Sequence, residues 1–582
     1  MPKSPAAHPV KPGRIGARWL GPWVAEVNGA TLRADALAAV LAAVLAVPQG
    51  IAFAALAGVP PAWGLYASIL PTAVAALLGA SRLMITGPTN ALSLALSAGL
   101  APLAVAGSPE YLRLALALTL FVGVIQLAVW ALRLGAVTHF ISPTVLLGFT
   151  SGAALLIALH AAQAWRQEAG DARATLLVGA LALGLAAAAR RWWPRAPGLL
   201  LALGAATLLA AIGAWQWGWQ LATVAAPAEA WPPLAWPALQ WQDLPRLATL
   251  ALALTLVALG QSIAIAKALA ARTGQAFDVN RECLGQGLAN VAGACSSALV
   301  SCGSLNRSAP HIEAGARTPL AAVMAAVLVL LLVGWAGAAL AWVPMAAIDA
   351  LLLLVAWSLV DLGQWRELWR VDRREAGVAA GTLVATLALP LEVAVLAGVA
   401  ASLVLYLHRT AHPALRSMGF AAAPLPGSER RFVVLEPGAP ECPQLKLLRM
   451  EGPVWYGAEA HVAETLRQLR EPDANGASPP SHLLVMGKSM NFIDPAGAAL
   501  WERERALRSQ PGQGLYFHRP RPEVLVAWER SGFLQRLGPG HIFPDKRSAI
   551  AAIVPQLDPA VCAHCRARVF EECGAQPGAA PG

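Results

Sequence analysis

The feature that most limits the fold of this chain is a series of apolar segments that fills residues 34–410. A helix needs about 20 apolar residues to cross the ~30 Å hydrocarbon core of a bilayer, and most of the segments approach that length. There are fourteen, at 34–56, 62–80, 89–101, 111–133, 140–161, 174–189, 197–214, 246–270, 283–297, 304–314, 319–341, 344–360, 375–390 and 391–408. Because 57% of all residues are hydrophobic and only 13% are charged, we predict a polytopic α-helical membrane protein.

Basic residues predict the orientation of these segments. If the amino terminus lies inside the cell, the inside loops hold most of the arginines, among them Arg82, Arg133, Arg190 and Arg272. Cytoplasmic loops of membrane proteins are enriched in such residues, so the pattern supports fourteen spans with both termini in the cytoplasm. The same loops account for the net charge of +10 without a nucleic-acid partner. We therefore predict a multi-pass protein of the cell (inner) membrane, embedded in the lipid bilayer.

Two segments, the third and the tenth, are too short to cross the membrane and open with residues typical of helix starts. Thr86–Asn90 and Cys302–Ser308 each contain hydroxyl and amide side chains, which commonly cap helix N-termini. A half-length helix inside a membrane protein presents free N–H groups and a positive dipole end, which in transporters often face an anion. The alternative is a pair of buried re-entrant turns that bind no ligand.

The two short segments hold the same place in each half of the series. An odd number of spans per half forces the halves into opposite orientations. We therefore predict 14 transmembrane segments as a 7+7 inverted repeat with two short broken helices. Residues 1–33 precede it as a cytoplasmic segment. A linker at 411–430, a cytoplasmic α/β domain at 431–556, where strand-like and helix-like runs alternate, and a cysteine-containing tail at 557–582 follow it.

Seven short motifs are spread along the membrane part of the chain: Val47–Phe53, Gly58–Tyr66, Ser81-Arg82, Gly87–Thr89, Ala264–Lys267, Gly287–Asn290 and Gly315–Thr318. In sequence and in order they resemble the SulP family of sulfate permeases and anion transporters. Leu448–Gly457 and Asn491–Gly497 resemble the STAS domain that these proteins carry at their cytoplasmic C-terminus. The resemblance covers about residues 30–556 of the chain.

The resemblance implies an anion transport domain at 34–410, in which the third and tenth helices meet head to head over a central anion, and a STAS domain at 431–556. It also implies a homodimer, held together mainly by the STAS domains and nearby helices. No motif requires a cofactor, and we expect a transporter and not an enzyme. Carried over by motif, the anion-binding residues are Gln49, Phe53, Thr89, Asn90, Ala91, Ser304, Leu305, Asn306 and Arg307.

The expected function is secondary active transport of small inorganic or carboxylate anions, with sulfate first, by a moving-core alternating-access mechanism. Bicarbonate and dicarboxylates are alternative substrates, because amide, hydroxyl and guanidinium groups suit all of these anions. A sensor of anion occupancy that signals through the STAS domain and a chloride conductor are the alternative functions.

Arg307 is the one charged residue of this set. A guanidinium at mid-membrane costs about 2.5–3.5 kcal/mol even on the gentler insertion scales, whereas one helix N-terminus contributes only about 0.3–2 kcal/mol to a bound anion. We therefore expect the arginine to supply the missing attraction, while Gln49 offers amide N–H groups and Phe53 excludes water. The alternative is that Arg307 pairs with a buried carbonyl or carboxylate, such as that of Glu313.

Two positions depart from the family's pattern. Many bacterial relatives carry a carboxylate where this chain has Gln261, and a carboxylate there can hold Na⁺ or H⁺. At this coupling position an amide cannot titrate, so exchange or uniport is favoured over cation symport. In the STAS-like part, Pro495 follows Asp494 where anti-sigma antagonists have a phosphorylatable serine, so we expect no switch of that kind.

The tail contains Cys562, His564, Cys565 and Cys573. One CxxC with a third thiol and a histidine could hold zinc, but without a second CxxC it is only a weak candidate for a metal site. We expect reduced thiols and no metal.

Overall fold

The structure, a computed structural model, describes residues 21–135, 142–167, 171–192, 198–224, 231–336, 341–420, 432–436, 438–472, 476 and 478–577. Most of the predicted segment at 1–33, residues 421–430 of the predicted linker and the end of the tail lie outside this part. The chain divides into two compact units, Met1–Ser402 and Leu403–Gly582.

The first unit is built from helices. In chain order they are α1 (Gly29–Leu56), α2 (Pro61–Tyr66), α3 (Leu70–Leu78), α4 (Asn90–Leu100), α5 (Pro109–Ala131), α6 (Pro143–Gln167), α7 (Ala172–Trp192), α8 (Gly198–Trp217), α9 (Asp243–Thr273), α10 (Val279–Cys295), α11 (Leu305–Glu313), α12 (Leu320–Ala336), α13 (Met345–Leu359), α14 (Leu362–Val371), α15 (Arg373–Ala388) and α16 (Leu391–Thr410), the last of which continues into the second unit. Two three-residue strands lead into the short helices: β1 (Ile85–Gly87) is separated from α4 by two residues, and β2 (Cys302–Ser304) runs directly into α11.

Within the described residues, eight stretches of helix are long and apolar enough to cross a membrane, judged by length and composition. Three further apolar helices are shorter, at Asn90–Leu100, Leu320–Trp335 and Met345–Leu354. The count of fourteen spans therefore stays a prediction, since α10, α11 and α15 belong to neither group. Helix α14 was not expected from the sequence; it is amphipathic, and none of its residues is fully buried.

Local chemistry explains how α1 begins and how closely it packs. Asn28 caps it: the Asn28 side chain accepts hydrogen bonds from the N–H groups of Ala30 and Thr31, while Thr31 Oγ1 accepts one from Asn28 N.

Further along, α1 crosses α2 at two glycines. A Cβ atom placed on Gly64 would lie 1.9 Å from the carbonyl oxygen of Gly50. Only glycine at this crossing lets the two backbones approach so closely.

The second unit is a six-stranded sheet flanked by helices, with strand order β4-β3-β5-β6-β7-β8. Its strands are β3 (Ala414–Phe420), β4 (Phe432–Val434), β5 (Leu445–Glu451), β6 (His482–Met486), β7 (Gly514–His518) and β8 (Ile542–Phe543). Strands β5 to β8 run parallel, and β3 pairs antiparallel with both β4 and β5. The helices are α17 (Glu459–Gln468), α18 (Pro495–Leu507), α19 (Pro522–Arg530), α20 (Phe533–Leu537), α21 (Lys546–Ile553) and α22 (Pro559–His564).

This unit extends beyond the predicted domain at 431–556 on both sides. Strand β3 lies inside the stretch expected to be a linker, because its backbone pairs with β5 although its sequence lacks clear alternation. On the other side, Leu557 and Phe570 of the expected tail are buried against Leu447 and Leu484 of the sheet. Both flanking stretches therefore belong to the same core.

Candidate functional site

The strands that lead into the two short helices are paired with each other. Strands β1 and β2 pair antiparallel, with Thr86 opposite Gly303 and Gly87 opposite Cys302. A further hydrogen bond crosses the junction, from Ile85 N to the hydroxyl of Ser308 on α11 over 2.9 Å. Because the two strands run antiparallel, α4 and α11 leave this short ribbon at opposite ends, and the ribbon fixes the positions of both helix N-termini.

Side chains do not cap either helix start, contrary to the expectation from the sequence. Thr89 and Ser304 occupy the N-cap positions with extended backbone, but neither side chain accepts a hydrogen bond from its helix. Asn90 Oδ1 accepts only from the adjacent Ala91 N, over 3.0 Å. Apart from that of Ala91, the first-turn N–H groups of the two helices donate to no side chain of the described residues, which suits the binding of an anion at a helix N-terminus.

Arg307 lies buried at the first turn of α11, with 1% of its surface exposed. Its Nε donates to Gln49 Oε1 and its Nη1 to Ser68 Oγ, each over 2.9 Å. Its Nη2 is buried and has no hydrogen-bond partner in the described part of the chain. The guanidinium is therefore bound by neutral oxygens only, and one of its N–H₂ groups remains available.

The proposed pairing of Arg307 with Glu313 is not present. Glu313 ends α11 and is exposed, and no carboxylate of the described residues forms an ion pair with Arg307. The reason is helical geometry: the two residues are six positions apart, and side chains meet on a helix at spacings of three or four.

Gly87 of β1 leaves space for the side chain of Arg307. A Cβ atom at this position would lie 2.4 Å from Arg307 Nη1, well inside van der Waals contact. The guanidinium thus rests against the backbone of β1, at the strand that leads into the other short helix.

Helix α1 contributes Gln49 and Phe53. Gln49 is half-buried and uses its oxygen for Arg307, so its amide N–H₂ group stays free of hydrogen bonds to the described residues. Phe53, one turn further on, is 4% exposed. The structure therefore places an unused amide donor beside the guanidinium and a buried ring on the same helix.

The remaining expected site residues differ in their exposure to solvent. Those at the start of α4 are buried, whereas those at the start of α11 include both buried and exposed residues. Thr89, Asn90, Ala91 and Ser304 are buried, and Asn90 Nδ2 has no hydrogen-bond partner among the described residues. Leu305 is 48% exposed, and Asn306 is also exposed. The structure thus does not bring Leu305 and Asn306 into the buried cluster around Arg307.

Two hydroxyl residues in this region were missed from the sequence. Ser93 lies one turn beyond Asn90, and its buried Oγ has no partner in the described chain; its spacing of three residues from Asn90 was the available signal. Ser68 contacts Arg307 from the turn between α2 and α3, and no sequence pattern indicated it.

Gln261, the expected coupling position, lies next to β2. Cys302 Sγ is 3.2 Å from Gln261 Oε1 and 3.5 Å from Thr89 Oγ1. The adjacent Ser262 accepts a hydrogen bond from Gly303 N over 2.8 Å. Helix α9 thus contacts the strand that leads into α11, close to the start of α4.

The four side chains considered for zinc do not form one set. Cys562, Cys565 and Cys573 line a small cavity together with Cys442, whereas His564 is exposed and its Nδ1 lies 2.9 Å from Ala560 O. Among the described residues, no group of three or more histidine, cysteine or acidic side chains is arranged to hold a metal ion.

Comparisons with known proteins agree with one another. A family model described as the sulfate permease family matches residues 32–382. A probable sulfate transporter of Mycobacterium tuberculosis is 30% identical over 540 residues, which cover 90% of this chain and 95% of the relative.

Two solved structures are similar in fold. The murine SLC26A9 anion transporter in the inward-facing state superposes with a TM-score of 0.77 at 19% identity, over 92% of this chain and 93% of that one. The transmembrane domain of the cyanobacterial bicarbonate transporter BicA gives a TM-score of 0.59 at 23% identity, over 64% of this chain and 98% of that one. At these identities the likeness shows the fold alone: that of a multi-pass helical membrane protein.

Proposed function

Because the chain belongs to the sulfate permease family, we propose that it is a secondary active transporter of small oxyanions, with sulfate as the first substrate. The observation that carries the proposal is the buried Arg307, whose Nη2 has no partner among the described residues while two helix N-termini start beside it. The protein would lie in the cell (inner) membrane, with both termini in the cytoplasm.

The energetics favour an anion at this place. Burying a guanidinium in the membrane costs about 2.5–3.5 kcal/mol on insertion scales, and only neutral oxygens compensate it here. A divalent oxyanion would accept from Nη2, from the amide of Gln49 and from the free N–H groups of the two helix starts. Charge-assisted hydrogen bonds of this kind are roughly twice as strong as neutral ones.

The anion would be bound by residues from three helices. Gln49 and Phe53 would come from α1, with Phe53 acting as an apolar wall. The other residues would be Thr89, Asn90 and Ala91 from α4 and Ser304 and Arg307 from the start of α11. Leu305 and Asn306, which are exposed, would contact the anion only at the entrance of the site.

For transport, we propose that the helices around the anion move as a core against the rest of the membrane unit, which is how repeat-built transporters alternate access. Exchange or uniport is favoured over cation symport, because the amide of Gln261 next to Cys302 has no charge to titrate. We also propose that the second unit is a STAS domain and that it holds a homodimer together.

The test is a flux assay in proteoliposomes with labelled sulfate. We expect saturable uptake that unlabelled sulfate on the other side accelerates. Arg307→Ala should abolish this uptake, whereas Arg82→Ala, which removes a partly exposed arginine paired with Glu26, should keep it. Binding without flux would indicate a sensor, and current that does not saturate would indicate a channel. Bicarbonate, oxalate and chloride as competitors would identify the preferred anion.

A further inference from the structure

One face of helix α10 carries three buried polar side chains. Glu282, Gln286 and Asn290 are spaced four residues apart, so they project from the same side of the helix. They are 1%, 0% and 0% exposed, respectively. Such side chains in an apolar environment are costly unless they are hydrogen-bonded, and the question is which groups they hold.

The first two hold the segment that leads into α4. Glu282 Oε2 accepts from the backbone N–H groups of Ala80 and Ser81, over 2.9 and 3.0 Å. Gln286 Nε2 donates to Glu282 Oε1 over 2.8 Å and to the hydroxyl of Thr86 over 2.9 Å. Thr86 is a residue of β1, so this side of α10 fixes both ends of the connection between α3 and β1.

The third holds the segment that leads into α11. Asn290 forms two hydrogen bonds with the backbone of Ser301, accepting from its N–H over 2.8 Å and donating to its carbonyl over 3.0 Å. Ser301 directly precedes β2. One face of α10 therefore forms hydrogen bonds with Thr86 of β1 and with Ser301, the residue before β2.

Helix α10 is itself packed too tightly to shift alone. A Cβ atom on Gly285 would lie 2.4 Å from the Cα atom of Gly79 at the end of α3. On the other side, a Cβ atom on Gly123 of α5 would lie 2.8 Å from Val291 N. With both neighbours at backbone contact, α10 forms a rigid support for what its polar face holds.

We propose that Gln286 and Asn290 are positioning residues for the anion site, and that through them α10 keeps the N-termini of α4 and α11 in one fixed arrangement while the core moves. This rests on the proposed function, since it assigns a role toward the anion bound at these ends. Neither residue touches the anion itself. Each acts through a strand that precedes a short helix.

The test uses an almost isosteric pair at Thr86. Thr86→Val removes the hydroxyl that Gln286 binds and keeps the shape, whereas Thr86→Ser keeps the hydroxyl. Sulfate binding to the purified full-length protein is measured by calorimetry, and folding by thermal melting in detergent. We expect Thr86→Val to raise the Kd about tenfold, as loss of one well-placed hydrogen bond would, and Thr86→Ser to restore it to within about twofold of wild type.

Thr119→Val is the matched control. Thr119 on α5 is also 1% exposed, and its hydroxyl donates to Ala115 O one turn earlier in the same helix, over 2.8 Å. The substitution is the same as at Thr86 but removes no bond to α10 or to either strand, so we expect an unchanged Kd. If Thr86→Val binds sulfate as tightly as wild type, or if Thr119→Val weakens binding equally, α10 has no positioning role.

A second variant covers the case in which Thr86→Val does not fold. Gln286→Met keeps the length of the side chain and removes its amide, so we expect the same rise in Kd. If both variants fail to fold, the polar face is a folding element and the proposal is overturned. Failure of the proposed function would look different, because wild type itself would then bind no sulfate, and the positioning role would fall with it.

Discussion

Arg307 Nε donates to Gln49 Oε1 over 2.9 Å and so joins α11 to α1. Their sequence positions are 258 residues apart. Because the side-chain oxygen of Gln49 accepts this hydrogen bond, the N–H₂ group of Gln49 points away from Arg307 and forms no hydrogen bond with the described residues. One hydrogen bond therefore orients two donors, the amide and the remaining guanidinium group, for the proposed anion.

Replacing Gln49, the neutral partner of Arg307, by an acidic residue tests whether the positive charge of Arg307 binds the anion. Gln49→Glu would place a carboxylate within hydrogen-bond distance of the guanidinium, and the resulting ion pair would neutralise the charge of Arg307. We expect sulfate binding to weaken by at least about tenfold, since a charge-assisted bond is lost, while the melting temperature does not fall. Gln49→Met, which removes the acceptor without adding charge, should weaken binding less. Equal effects of the two substitutions on Kd would argue against a role for the charge.

The space at Gly87 provides a second test. Gly87→Ala places a methyl group where Arg307 Nη1 lies, at 2.4 Å, so the guanidinium has to move. We expect the variant to fold but to bind sulfate at least about tenfold more weakly. Gly184→Ala is the control, because nothing lies within 4 Å of a Cβ atom there. Unchanged affinity in Gly87→Ala would mean that the position of the guanidinium does not matter for binding.

Much of this site could be predicted from the sequence. The short helices were indicated because an apolar run of about half the spanning length follows polar helix-start residues. The pairing of β1 with β2 was not, since three-residue strands are too short to show an alternating pattern and their partners are distant in the chain. The bond to Ser68 and the cavity lined by Cys442 with the tail cysteines were missed for the same reason: contacts between distant residues leave no local pattern.

The amide at position 261 predicts the energetics of transport. Uptake of sulfate into liposomes should respond little to an imposed proton or sodium gradient and strongly to anion on the other side, because Gln261 cannot change its charge. Gln261→Glu should introduce a dependence on the cation gradient or impair uptake by placing a negative charge near the anion. Strong accumulation driven by a gradient in the wild-type protein would contradict this account.

In the second unit, a buried histidine predicts a dependence of stability on pH. Burial of His482 in β6 lowers the pKa of its imidazole, and the positive charge of Arg508 adds to this shift. Below the unfolded pKa of about 6.5, the unfolded chain binds a proton that the folded one excludes, so stability falls as pH decreases through that value. The protection factors of the β6 and β7 amides, which correct for the slower intrinsic exchange at lower pH, should therefore fall below it in the full-length protein.

His482→Phe removes this titration and keeps a ring next to Tyr516, so it should reduce the pH dependence of the protection factors. The remainder would come from His518 in β7, whose pKa burial also lowers. The exposed His564 provides the control, and His564→Ala should leave the dependence as in wild type. If His482→Phe keeps the full acid dependence, the titrating group lies elsewhere.

The most direct measurement is the position of the anion itself. Selenate has the shape and charge of sulfate, and its selenium scatters anomalously, so crystals grown with selenate reveal where it binds. The account predicts an anomalous peak between the N-terminal ends of α4 and α11, with a selenate oxygen within hydrogen-bond distance of Arg307 Nη2, and its absence in Arg307→Ala crystals. A peak elsewhere in the membrane unit, or one at the same place that survives Arg307→Ala, would contradict it.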